Sequence, residues 1–159
     1  MSALLDPVLE SFQQKGWPVR QHTSLPVLCM EYETDNGIWD CYVQVDDRLK
    51  QVVGYSVLRD KVPEERRKEV AELLTRANFG LVVGNFELDF DDGDLRYKAG
   101  LDVSRAELTS GLVDPLIMAV LDAMDDHVAA IRLVIEGRAT PQAAMQELRG
   151  RLDSIDFRF

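Results

Sequence analysis

Histidine and cysteine are scarce in this 159-residue chain, two of each, and that removes most of the usual side-chain chemistry. His22 and His127 lie far apart in dissimilar contexts, and a zinc site normally takes four ligands, so no metal-binding spacing is present. A two-residue Asn36-Gly37 loop would set Cys41 opposite Tyr32 and Cys29 opposite Gln44, with the two sulfurs on opposite faces of a hairpin and no disulfide possible. Both thiols read as small, half-buried hydrophobes. Basic residues are also few: 18 Lys and Arg against 28 Asp and Glu give a net charge of -10. That balance disfavours nucleic acid and anionic membrane as partners. No apolar run approaches the roughly 18 to 20 residues that span a bilayer, and the opening Met1 to Pro7 has no basic, signal-like start, so a cytosolic location is expected. Linkers, low-complexity tracts and internal repeats are absent as well.

The near misses are equally informative. Asp89 to Asp94 resembles a calcium loop, but Gly93 is fifth and Gly100 twelfth where the EF-hand needs glycine sixth and glutamate twelfth. Asp91, Asp92 and Asp94 retain only the chance of a weak surface cation. Gly80 to Asn85 lacks the lysine of a phosphate loop. Asp122, Asp125 and Asp126 read as a solvated helix face, with His127 at its polar edge. Trp39 reads as core, Trp17 as a plug at the end of the first helix, and the methionines as core filler. No catalytic residue, cofactor or metal is assigned, and an enzyme is the least favoured class.

What is present is pattern. At 46% hydrophobic composition the chain can bury one core, so a single domain over 1–159 is expected, with 138–159 a C-terminal helical extension. Leu4, Leu5, Val8, Leu9 and Phe12 recur at helical spacing before Gly16-Trp17-Pro18. Val27 to Glu33 and Ile38 to Val45 alternate around Asp35-Asn36-Gly37, placing Leu28, Met30, Tyr32, Trp39, Cys41, Val43 and Val45 on one face. In that register Glu33 faces Asp40. A third strand over Leu49 to Leu58 is read with Leu49, Val53, Tyr55 and Val57 inward. From Pro63 a charged helix carries the stripe Val70, Leu73, Leu74 and Ala77, with Glu64–Lys68 and Glu72–Arg76 pairs and a cap at Asn78 or Gly80. An Asp92-Gly93 turn then sets Phe90 opposite Leu95, Leu88 opposite Tyr97, Phe86 opposite Ala99 and Val82 opposite Val103.

A helix capped by Thr109 or Ser110 runs to Glu136 and stops at Gly137, and a last helix starts at Thr140-Pro141 with Ala144, Met145 and Leu148 inward. The long helix carries two apolar stripes, Leu112, Leu116, Ala119, Ala123, Ala130 and Val134 beside Val113, Ile117, Val120, Met124, Ile131 and Ile135. At about 40 Å it is longer than so small a domain is wide. The expectation is therefore that Val113, Ile117, Val120, Met124, Ile131 and Ile135 form a dimer or partner interface. The fold class is α+β, an antiparallel sheet of about five strands packed by helices in the order α-β-β-β-α-β-β-α-α.

Three segments carry a family resemblance: Gly37 to Val45, Val62 to Asn78, and Gly84 to Asp89 with Asp92 to Tyr97. They are similar to the YbjN family of bacterial proteins, described as sensory transduction regulators, over about Trp17 to Val134. That resemblance implies a type III secretion chaperone-like fold, helices against a curved antiparallel sheet, and a homodimer. It supplies no catalytic motif. The function expected is a non-enzymatic dimeric protein that holds a peptide or protein partner in a regulatory or chaperone-like role. The alternative is a domain sensing a small molecule or metal ion in a pocket between the sheet and the long helix.

Overall fold

The computed structural model describes residues 2–153, so the C-terminal tail 155–159 lies outside the described residues. Four helices, α1 (Leu5–Gln14), α2 (Arg67–Asn78), α3 (Ser110–Ile135) and α4 (Pro141–Asp153), accompany six strands. The strands are β1 (Arg20–Gln21), β2 (Val27–Thr34), β3 (Gly37–Asp46), β4 (Gln51–Val57), β5 (Asn85–Leu88) and β6 (Leu95–Asp102). They form one antiparallel sheet in the order β1-β2-β3-β4-β6-β5. The α+β class and helix order are as expected, with the two-residue β1 added.

Both hairpins keep the expected facing but shift register by two residues, which preserves parity. In β2–β3, Thr34 faces Gly37 and Met30 faces Cys41, so the loop is Asp35-Asn36 rather than Asn36-Gly37. Tertiary contacts select it. Asp125 of α3 accepts from the Thr34 hydroxyl at 2.6 Å and the Asn36 amide at 3.0 Å, while Arg132 donates to the Asn36 carbonyl at 2.8 Å. The clash expected between Glu33 and Asp40 becomes Glu31 opposite Asp40, and the Arg59 guanidinium bonds both carboxylates.

In β5–β6 the register pairs Phe86 with Tyr97 and Leu88 with Leu95. Asp89–Asp94 closes as a wider loop in which Gly93, at φ +82°, donates its N–H to the Asp89 carbonyl at 2.9 Å. A side chain at Gly93 would also collide with the Val62 carbonyl, its Cβ only 2.3 Å away. Phe90 and Val82, expected inside, are consequently 53% and 97% exposed, and 80–84 is not strand.

The third strand reverses the expected facing. Val52, Gly54 and Ser56 point inward, and Val53, Tyr55 and Val57 point out. The cause is α3: a Cβ on Gly54 would sit 3.1 Å from Val120 Cγ2, and Ser56 donates to the Val120 carbonyl at 2.7 Å. Large side chains cannot occupy that layer, so the small residues of the strand face the helix.

The helices follow their periodicity. Leu5, Val8 and Phe12 of α1 are buried, as are Val70, Leu73, Leu74 and Ala77 of α2 and Ala144, Met145 and Leu148 of α4. Glu72 pairs with Arg76 at 2.7 Å as expected. Glu64 instead opens a 3-10 turn, Glu64–Arg66, where the ion pair is Arg66 with Glu69 at 2.8 Å. The Thr140 hydroxyl caps α4 by accepting from the Ala143 N–H at 3.2 Å.

Candidate functional site

Val113, Ile117, Val120 and Met124 are fully buried, Ile131 is 1% exposed, and Ile135 is half-buried. The expected uncovered arc is therefore corrected: β3, β4 and β6 lie under α3, while α1, α2 and α4 pack along its remaining sides. Three flanking helices were not countable from the α3 pattern alone. Of both stripes only Leu112, at 44%, stays substantially exposed.

Reactive groups stay scattered. Among the described residues no three His, Cys, Asp or Glu gather to hold a metal. Two carboxylates of the calcium-like loop are engaged by one cation, Lys61 Nζ sitting 2.8 Å from Asp92 and 2.6 Å from Asp94. Cys29 is half-exposed and Cys41 buried, both free and on opposite faces as expected. Burial pushes the Cys41 thiol up to about 12, with the neighbouring Cys29 adding to it. His22 is exposed, its Nδ1 accepting from the Ser24 and Leu25 N–H groups at 3.2 and 3.1 Å.

His127 departs from its expected place at a solvated edge. It is 7% exposed, donates from Nδ1 to the Ala123 carbonyl at 2.8 Å, and lies 5.0 Å from the Phe86 ring. Burial holds its pKa below the ordinary value, against the opposing pull of that hydrogen bond and of Asp126. Trp39 is core, as expected, but its buried Nε1 has no partner among the described residues. Trp17 packs edge-on against Phe12 and Tyr32, closing the end of α1 against the sheet.

The surface that remains is the other face of the sheet. Every buried strand residue points toward the helices, and none of the residues alternating with them in β2 to β6 is buried. Across that open face the register aligns Arg20, Cys29, Tyr42, Tyr55, Lys98 and Asn85 in one row. Tyr42 directly opposes Tyr55, and the Arg96 guanidinium stacks 4.8 Å from the Tyr55 ring centre. Val53 and Val57 flank Tyr55 on the same strand.

A cavity of about 480 Å³ opens beside this row, lined by Val57, Glu87, Leu88, Asp89, Asp94 and Arg96. Burial raises the Glu87 carboxyl, but its bonds to Lys98 and Arg96 outweigh this and hold it below the usual carboxylate range. A second cavity, about 250 Å³, lies where Ile38 meets Arg132 and Ile135 at the end of α3.

The sheet's edges are less available than this face. Asn78 covers β5 by accepting the Phe86 N–H at 2.7 Å and donating to the Phe86 carbonyl at 3.1 Å. At the opposite edge, β1 has two residues, and its register continued backward puts Pro18, which has no N–H to offer, beside Glu31. Reading Val53, Tyr55 and Val57 as inward hid the open face. The missed signal was small Gly54 and Ser56 alternating with Val53, Tyr55 and Val57.

A family model, YbjN, described as "Putative bacterial sensory transduction regulator", matches residues 5–133. No curated protein matches the sequence. The chain is similar in fold to the crystal structure of YbjN from E. coli, titled a putative transcription regulator, with TM-score 0.58, 12% identity, and 87% of this chain and 95% of that chain covered. A weaker likeness, TM-score 0.47 at 12% identity, is to the ExsC-ExsE complex, covering 77% of this chain and 90% of that chain.

Proposed function

The chain belongs to the YbjN family, and from that premise we propose that it is a non-enzymatic binding protein whose open sheet face holds a protein or peptide partner in a regulatory or chaperone-like capacity. One observation carries the reading: a six-stranded sheet covered on one side only, with the Tyr42–Tyr55 pair central on the other. Aromatic side chains with a polar tip are favoured at interfaces because they bury large area at low entropic cost. Arg96 and Lys98 border the pair beside Glu87, giving a polar rim around an apolar centre.

The description of the family as regulatory fits such a role, and the scattered histidines and cysteines give catalysis no foothold. The α3 stripe gives a homodimer no support because it is buried within one copy, so two copies that associate, as the family resemblance implies, must do so through the open face or another exposed patch. Among the described residues no helix is long and apolar enough to cross a membrane.

A photo-crosslinking side chain at position 55, compared with one at exposed Glu10 on α1, tests the reading in cells. Position 55 should yield a discrete protein adduct that is lost when Tyr42→Lys is added. Equal labelling from both positions, or none from position 55, would remove the face from consideration.

A further inference from the structure

A second surface, independent of the sheet face, lies where α2, α3 and α4 meet. A cavity of about 130 Å³ there is walled by Ala77, Leu81, Met145 and Leu148, with room for one branched or aromatic side chain. His127 completes its floor, and Arg76 and Arg149 also line it. No Asp or Glu lines it, although the chain carries a net charge of -10. Gly80 and Leu81, which line the cavity, lie between Phe79 at 91% and Val82 at 97% exposure. Two large apolar side chains so fully solvated beside a socket are unusual on a monomer surface.

We propose that this corner docks an acidic amphipathic segment of a partner protein, with one apolar side chain in the cavity, its neighbours on Phe79 and Val82, and flanking carboxylates on Arg76 and Arg149. Charge selects the occupant. An anionic membrane would meet the repulsion of the whole chain. A second copy docking by two-fold symmetry would bring the same arginine-lined surface against itself. Arg76 already holds Glu72 at 2.7 Å, so Arg149, which makes no ion pair among the described residues, offers the freer guanidinium.

The test uses the full chain and a capped peptide of about twelve residues with leucine and phenylalanine at helical spacing and glutamate between them, beside its counterpart with lysine for glutamate. Backbone amide shifts should move at Ala77, Leu81 and Leu148 with the acidic peptide and stay still with the basic one. Fluorescence anisotropy should show at least roughly tenfold weaker binding for Arg149→Glu, which lies on the surface. Gly80→Leu should do the same by filling the cavity, since a Cβ there meets nothing closer than 3.8 Å and the fold should persist.

Equal binding of both peptides, unchanged affinity in Arg149→Glu, or shifts confined to Tyr42 and Tyr55 would overturn the proposal, the last leaving the sheet-face reading intact. So would sedimentation with vesicles of phosphatidylglycerol and phosphatidylcholine, or a dimer abolished by Val82→Lys. A variant ending at Asp153 that binds the acidic peptide tenfold tighter would assign the corner to residues 154–159 and overturn it too.

Discussion

The Ser56 hydroxyl donates a 2.7 Å hydrogen bond to the Val120 carbonyl, joining the end of β4 to the middle of α3. Two residues earlier, Gly54 lets the Val120 side chain rest on the strand, with 3.1 Å between its Cγ2 and the place a Cβ would take. Ser56→Ala removes a buried bond and should cost about 1 kcal/mol. Gly54→Val must push the helix away and should cost about 1 to 3 kcal/mol through overpacking. Urea unfolding of both variants measures this. A neutral Gly54→Val would mean that α3 does not press on β4.

Those two residues also mark where sequence reasoning turned the wrong way. Alternation places Leu28, Met30, Trp39, Cys41 and Val43 on the buried face correctly, because apolar and polar residues alternate there without ambiguity. In β4 both alternating sets lack charge, and the larger one, Val53, Tyr55 and Val57, is drawn inward by hydrophobicity alone. Helix approach reverses that order, and a strand's own residues do not report it. The hairpin registers missed by two for a related reason: Asn-Gly and Asp-Gly are strong local turn signals, but Asp125 and Arg132 hold one turn and the Val62 backbone crowds the other. Helices α1 and α4 were legible, as was the buried stripe of α2, though not its 3-10 start. The cover over α3 was not, because it comes from three other helices, of which α1 and α2 are distant in sequence.

Asn78 supplies what a neighbouring strand would supply to β5, one acceptor and one donor for the backbone of Phe86. Asn78→Ala should therefore lose about 1 to 3 kcal/mol, the cost of leaving the partly buried Phe86 N–H unpaired, while the Phe86 carbonyl keeps the Asn85 amide at 3.3 Å. It should also expose the strand edge, and light scattering should detect concentration-dependent association absent from the parent chain. Asn78→Asp keeps only the acceptor and should fall between the two. Identical unfolding midpoints for all three chains would show that α2 packing, and not the amide, shields this edge.

The two thiols should separate cleanly in labelling. Cys29 lies on the open sheet face, while Cys41 is fully buried and its pKa is pushed up to about 12, so its thiolate is negligible near neutral pH. At pH 8 an aromatic disulfide reagent should modify one equivalent quickly, and the second only as the chain unfolds. Cys29→Ser should abolish the fast phase and leave the slow one. Two fast equivalents would contradict the burial of Cys41 beneath the helices.

His127 makes stability fall on mild acidification. Its folded pKa lies below the ordinary 6.5 because burial disfavours the imidazolium. The unfolded chain therefore binds a proton first as pH drops through 6.5, and stability present above that value declines toward the folded pKa. Other groups act in the opposite sense. Burial raises Asp126, assisted by Asp122 and Asp125, and burial and Asp125 raise Asp122, so the folded state takes up those protons first and regains stability as pH falls toward 3.8. Urea midpoints measured from pH 8 to pH 5 should drop for the parent chain, with the slope beginning near 6.5. His127→Gln keeps a side-chain donor without the titration and should flatten that slope, whatever its own stability at pH 8. A parent chain with a flat profile across this range would place the imidazole in water rather than against Phe86.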